Sequence, residues 1–123
     1  MSTPQTSLYE RLGRREGIER ITHDLIRLHL ANPHVKSRFE NTEDLARLER
    51  LAVEFFCAGS GGPEAYTGRD MLSTHRGMNI SEQEFVAVVD DAMGALKSND
   101  IDAATSNDVL AILWSLKGEV MRV

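Results

Sequence analysis

The residues that could bind a metal or carry out catalysis are few, and their spacing excludes several common sites. The four histidines are His23, His29, His34 and His75. No two of them are four positions apart, which is the spacing of a helical zinc site, and Cys57 is the single cysteine. The glycine-rich segment 59–62 lacks the Gly-Lys-Ser/Thr ending of a phosphate loop, and the sequence contains no nucleophile elbow. Motifs alone therefore give little support for an enzyme.

His75 stands out because of its apolar surroundings. Met71 and Leu72 precede it, and Met78 and Ile80 follow it. One interpretation is a histidine in the last turn of a short helix, where the helix dipole favours the cationic imidazole. The other is an axial ligand of a haem iron, because the porphyrin supplies four ligands and one neutral imidazole in an apolar setting is then sufficient. The spacing alone leaves both interpretations open.

The segments that position these residues all have helical periodicity. Residues 16–30 carry apolar side chains at Ile18, Ile21 and Leu25, on one face of a helix, and the pair Asn32-Pro33 ends that helix. The same pattern predicts further helices over 7–13, 42–58, 70–76, 82–98 and 102–121. The predicted fold is therefore all-α, with four main amphipathic helices and two short ones.

Several boundaries of these elements follow from capping residues. Ser7 with Glu10 and Ser81 with Glu84 have the spacing of capping boxes. Gly77 is predicted to follow the short helix at the position where a left-handed conformation is common. The second long helix is expected to begin at Asn41 or Thr42, and the last to continue unbroken from Asp102 to Met121. Phe39 is expected in a connecting stretch.

Composition limits the domain organisation and the partners. The chain has 123 residues and a formal net charge of −5, which predicts one domain over residues 7–123 after a flexible tail at 1–6. The acidic balance disfavours binding to nucleic acid, and the absence of an apolar run of about 20 residues disfavours a membrane segment. A single cysteine and no export signal favour the cytoplasm. We expect a monomer or weak dimer.

Longer motifs make the sequence resemble a known family, the group I truncated haemoglobins. Residues 7–13 read SLYERLG, like the family's start, and the Asn32-Pro33 break matches the end of its second helix. The remaining motifs are Phe55-Phe56, Gly61-Gly62-Pro63-Glu64, Tyr66-Thr67-Gly68, His75-Arg76-Gly77 and Ile80. The resemblance extends from about Ser7 to Val120. One departure is Gly13-Arg14-Arg15, where members often carry paired glycines.

The resemblance implies a two-over-two helical sandwich around one b-type haem. The helices near 16–30 and 42–58 would form one pair, and those near 82–98 and 102–121 the other. His75 would be the proximal iron ligand, and Phe39 would pack on the porphyrin. The residues expected to contact the haem are Phe39, Leu45, Leu48, Ala52, Phe55, Tyr66, Met71, Leu72, Met78, Ile80 and Phe85. Those considered for the haem propionates are Arg50, Tyr66, Thr67, Arg69 and Arg76.

The resemblance also implies an unusual distal side. The family's ligand-stabilising tyrosine aligns with Ile26, its glutamine with Ala52, and the residue one turn earlier with Leu48. All three side chains are apolar, so the usual hydrogen-bond donor to O₂ is missing, and O₂ is expected to escape faster while CO binds comparatively well. His23 and His29 border this helix face, and either is an alternative sixth iron ligand after rearrangement.

The leading functional hypothesis is a haem protein that reversibly binds diatomic gases, of the oxygen-binding or oxygen-transport type. An alternative is a haem redox catalyst acting on nitric oxide, nitrite or peroxide with a reductase partner, and another is a gas sensor. The remaining hypothesis is a cofactor-free helical interaction module, for which replacing His75 would have no effect on function.

Overall fold

A computed structural model describes residues 7–40 and 42–123, which fold into eight helices. In chain order these are α1 (Leu8–Arg11), α2 (Arg14–Ala31), α3 (Lys36–Glu40), α4 (Leu45–Gly59), α5 (Met71–His75), α6 (Glu82–Ser98), α7 (Ala103–Ser115) and α8 (Lys117–Val120). Within these residues the only β-pairing is an isolated bridge between Ile80 and Met121. The proposed tail at 1–6 lies outside the described residues. The prediction of an all-α fold is confirmed.

Side-chain caps define most helix starts, as the sequence indicated. The Ser7 side chain accepts a hydrogen bond from the Glu10 backbone N–H at the start of α1. At α6 both halves of the capping box are present, between Ser81 and Glu84. At the start of α5, the Asp70 side chain accepts a hydrogen bond from the Ser73 backbone N–H. These bonds satisfy backbone donors that have no partner inside the helix.

Three expected boundaries are wrong. Phe39 lies within the short helix α3 rather than in an irregular connection. The helix expected from Asn41 or Thr42 begins at Leu45, because Asp44 provides the cap by accepting from the Arg47 N–H; Asn41 itself lies outside the described residues. The last helix is interrupted at Leu116, whose backbone N–H bonds to the Leu113 carbonyl instead of continuing the α-helical ladder.

The long helices pack around two apolar clusters. Helix α2 packs against both α4 and α6, and α6 packs against α7. One cluster is buried between α1, α2, α4 and α6, and Cys57 at its centre is inaccessible to solvent. The other joins Ile80, Phe85 and Val89 beside the C-terminal residues. The two clusters leave a wide cavity between α2, α4, α5 and α6.

The short helix α5 is held in place from both directions. The chain reaches it through segment 60–70, which is tied to α1 by the hydrogen bond from the Tyr9 N–H to the Ser60 carbonyl (2.9 Å). After α5, Gly77 adopts φ +87°, a left-handed conformation that is strained for residues with a side chain.

Among the described residues, none of the helices has the length and apolar content needed to cross a bilayer.

Candidate haem site

Most of the predicted site residues surround one cavity of about 500 Å³, within the size range of cofactor sites. It is lined by Ile26, Phe39, Leu48, Ala52, Phe55, Tyr66, Met71, His75, Met78, Ile80 and Phe85. Two further predictions, Leu45 and Leu72, do not belong to this lining. Leu45 is the first residue of α4, and Leu72 is rotated by about 100° along α5 from the cavity-lining Met71.

His75 is the last residue of α5 and lies half-buried in the cavity wall. Its Nδ1 is 2.8 Å from the backbone carbonyl oxygen of Met71, one helical turn earlier. Since a carbonyl oxygen can only accept, Nδ1 must carry the proton, and the lone pair of the neutral ring then lies on Nε2. A carbonyl on the second nitrogen is the usual way in which a protein orients an imidazole for an iron or zinc ion.

Apolar side chains from α2 and α4 cover another part of the cavity. Ile26 on α2 is 4% exposed, and Leu48 and Ala52 lie one helical turn apart on α4. None of these three side chains has a hydrogen-bonding group. These three positions therefore provide no hydrogen-bond donor to the cavity.

His29 adds a polar group to the same helix face, because it follows Ile26 by three residues. The residue is 3% exposed, and its Nδ1 lies 2.8 Å from the Asp91 carboxylate. The ring stacks on Phe39 with centroids 4.6 Å apart and an interplanar angle of 17°. Burial lowers the pKa of His29 below its ordinary value, and the contact with Asp91 offsets only part of that shift.

Charged side chains at the cavity wall are predominantly basic. Arg38 forms a two-point ion pair with Glu84, at 2.6 and 3.2 Å, which lowers the pKa of Glu84 to about 2. Arg47 and Arg69 also line the cavity, and neither is paired with a carboxylate among the described residues. In a chain of net charge −5, this concentration of cations favours an occupant with carboxylates.

The other residues considered for propionate binding have different positions. Arg50 and Arg76 are outside the cavity lining, whereas Tyr66 and Thr67 belong to it. The Tyr66 hydroxyl donates to the Arg69 carbonyl (2.6 Å). The Thr67 hydroxyl donates to Glu54 (2.6 Å), which lowers the pKa of that carboxyl. Both hydroxyls therefore hold the segment before α5 in place.

Sequence reasoning missed three parts of this site: Arg38, Arg47 and the contact of His29 with Asp91. The sequence itself placed His29 beside the helix face that contains Ile26. Its partner Asp91 could not be predicted, because it is 62 positions away in the chain and has the pattern of an ordinary polar helix residue. Arg47 was not among the predicted site residues, because helical periodicity alone does not show which polar side chains lie at the rim of a cavity.

A second, smaller cavity adjoins the first. Its volume is about 60 Å³ and its surface is entirely apolar. Leu25, Phe55, Phe56 and Leu113 line both cavities, so these side chains form the partition between them.

Comparison with known proteins identifies the family. The profile described as "Bacterial-like globin" matches residues 7–122. The group 1 truncated hemoglobin GlbN of Mycolicibacterium paratuberculosis is 31% identical over 114 residues, which cover 93% of this chain and 83% of that protein. The group 1 truncated hemoglobin of Tetrahymena pyriformis is 29% identical over 121 residues, 98% of each chain.

Solved structures support the same fold. The Fe(III) form of the truncated hemoglobin from Tetrahymena pyriformis matches with a TM-score of 0.91 at 24% identity, over 96% of this chain and 100% of that one. The group II truncated hemoglobin of Bacillus anthracis matches with a TM-score of 0.87 at 18% identity, over 98% and 95%. The expected two-over-two sandwich is thus confirmed. The chain belongs to the bacterial-like globin family, as a relative of the group 1 truncated haemoglobins, and the family supports haem-based binding of diatomic gases.

Proposed function

We propose that this protein holds one b-type haem in the large cavity, with Nε2 of His75 as the axial iron ligand. The observation that carries the proposal is the hydrogen bond from His75 Nδ1 to the Met71 carbonyl, which leaves the Nε2 lone pair for a metal. The surrounding Met71, Met78 and Ile80 supply the apolar walls that a porphyrin needs. When bound, the haem supplies a coordination position for a diatomic gas.

Arg47 and Arg69 are proposed to bind the haem propionates. Both line the cavity, and both lack a carboxylate partner among the described residues. Arg38 is already paired with Glu84, so it is the weaker choice. The proposal replaces Arg50 and Arg76, which the sequence had suggested.

The gas-facing side is proposed to be the one covered by Ile26, Leu48 and Ala52. Since these side chains offer no hydrogen-bond donor, O₂ is expected to leave quickly and CO to be favoured over O₂. The function that fits this pocket is reversible gas binding of the oxygen-binding or oxygen-transport type. We place the protein in the cytoplasm because its lone cysteine cannot form an internal disulfide. A monomer or weak dimer is the oligomeric state that we expect.

The test is the visible spectrum of the purified protein with one equivalent of hemin, in ferric, ferrous and CO-bound forms. The proposal expects a shifted Soret band that saturates at one haem per chain, and a CO form typical of a single axial imidazole. A chain that stays folded and shows no change in the hemin spectrum would instead support the cofactor-free interaction module.

A haem redox catalyst is the second candidate, and one observation favours it. Acid–base chemistry on nitrite or peroxide needs a titratable group at the cavity, and His29 is such a group on the same helix as Ile26. Turnover of these substrates by the reduced protein, compared with free haem and measured by stopped flow, separates the two candidates. Sustained turnover also requires a reductase partner.

A further inference from the structure

The buried ring of His29 has one polar atom left for a ligand of the cavity. Its Nδ1 is engaged by Asp91 at 2.8 Å, and one face of the ring is covered by Phe39. No described residue forms a hydrogen bond with Nε2, although the residue lines the large cavity. Nε2 is therefore the atom through which His29 can interact with an occupant.

Asp91 determines the tautomer of this ring. Its carboxylate is fixed by the Asn32 side-chain amide, which lies 3.2 Å from each of the two carboxylate oxygens. Since a carboxylate accepts, the His29 Nδ1 carries a proton and donates it to Asp91. The neutral ring then has its lone pair on Nε2, and the ring can take up a second proton there.

We propose that His29, oriented by Asp91, is the acid–base residue of the cavity and accepts the proton of weakly acidic ligands H–X that bind a ferric haem as the anion X⁻. In this step the H–X bond breaks, its proton forms an N–H bond at Nε2, and the electron pair remains on X. Nothing is oxidised or reduced. The resulting imidazolium would have Asp91 at Nδ1, and the negative charges of Asp91 and X⁻ would both stabilise it. This inference rests on the proposed haem site.

The other charged groups near the cavity do not compete for this role. They are Arg38 on α3, Glu84 on α6, Arg47 on α4, Arg69 before α5, and His75 on α5. Arg38 and Glu84 are paired with each other, and arginine stays protonated. The first helix, α1, which also packs on α2, places no charged side chain on His29. Within residues 7–40 and 42–123, Asp91 is the residue that forms a hydrogen bond with a ring nitrogen of His29.

The test uses the ferric haem-loaded protein with hydrogen cyanide as the probe, at a pH where the probe is protonated. His29→Gln keeps a donor for Asp91 but cannot take up a proton. We expect its association rate for cyanide to be lower than that of the wild type by about 100-fold, the low end for a positioned acid–base group. A decrease of less than about tenfold overturns the proposal.

A second readout is the number of protons released to solvent per cyanide bound, followed with an indicator dye in weak buffer near neutral pH. The wild type is expected to release less than one proton, because His29 keeps part of it, and His29→Gln one full proton. Equal release by both proteins overturns the proposal. Asp91→Asn, which removes the orienting charge, is expected to behave like His29→Gln.

Two controls separate this inference from the haem site itself. CO has no proton, so its association rate reports on access to the haem alone, and the cyanide rate of each protein is divided by its own CO rate before the two proteins are compared. His23→Gln changes an exposed histidine of the same helix that contacts Glu49, and it should leave cyanide binding unchanged. If the wild type fails to bind hemin, the proposed function is wrong; normal CO binding with an unchanged cyanide rate in His29→Gln refutes only the role of His29.

Discussion

At the scale of single residues, the hydrogen bonds of the two cavity histidines determine their different roles. His75 donates from Nδ1 to a neutral backbone carbonyl, whereas His29 donates to a carboxylate that is itself held by an amide. The carbonyl orients the His75 ring and leaves the Nε2 lone pair for a metal. The carboxylate offsets part of the decrease in the His29 pKa that burial causes, and its charge would stabilise a proton taken up at Nε2.

Removing the imidazole of His75 should leave the cavity without the axial ligand that we propose. In His75→Gly we expect hemin to bind weakly and without the spectrum of the wild type. Free imidazole added in millimolar amounts should restore that spectrum, because the cavity wall is otherwise intact. Hemin titrations with and without imidazole measure this. An unchanged spectrum in the variant alone would show that another residue binds the iron.

Introducing a donor at Ile26 should slow the escape of O₂. A hydrogen bond from the hydroxyl of Ile26→Tyr to O₂ is expected to contribute about 1.5–3 kcal/mol. This corresponds to a decrease in the O₂ dissociation rate of roughly tenfold to a hundredfold, measured by displacement with CO. Ile26→Phe is the matched control, since it adds the ring without the hydroxyl. Equal rates in the two variants would contradict the expectation.

The two unpaired arginines of the cavity wall should contribute to haem retention. Arg47→Ala and Arg69→Ala are each expected to speed haem transfer to an acceptor apoprotein by roughly twofold to fivefold, because exposed ion pairs are weak. Arg50→Ala, on the same helix as Arg47 but outside the cavity, should have no effect. If Arg50→Ala increases the rate of haem transfer more than Arg47→Ala and Arg69→Ala do, Arg50 binds the propionates, as the sequence first suggested.

At the scale of elements, the caps carry local stability that can be measured without the cofactor. Ser81→Ala removes the side-chain acceptor at the start of α6 and is expected to cost about 1 kcal/mol of unfolding free energy. Urea denaturation measures it. Ser115→Ala is the control, because that hydroxyl bonds only to a carbonyl of its own helix. An equal loss of unfolding free energy in both variants would show that the Ser81 cap does not stabilise α6 beyond the effect of any serine hydroxyl.

Caps and breakers are also the elements that could be predicted from the sequence. Asn32-Pro33, Ser81 with Glu84, and Gly77 each act through their own backbone or a neighbour a few residues away, and all three were placed correctly. The break at Leu116 was missed because the apolar periodicity continues through it. The contact of His29 with Asp91 was missed because it depends on how α2 packs on α6, which no local pattern contains.

At the scale of the whole molecule, stability should depend on the protonation of the buried histidine. Because burial lowers the pKa of His29, the unfolded chain takes up a proton more readily as the pH falls below the ordinary value of about 6.5. The unfolding free energy should therefore decrease from pH 7 to pH 5. Urea midpoints across this range should fall more steeply for the wild type than for His29→Gln. If the urea midpoints of both proteins change equally with pH, His29 is not the cause of the pH dependence of stability.

The backbone that follows His75 is completed by the far end of the described chain. The N–H groups of Gly77 and Asn79 donate to the carbonyl of Val123, and the Arg122 N–H donates to that of Ile80. During synthesis, the turn that follows His75 thus lacks these partners until residues 122 and 123 have left the ribosome. The proposed haem site is therefore complete only after all eight helices, α1 to α8, have been synthesised.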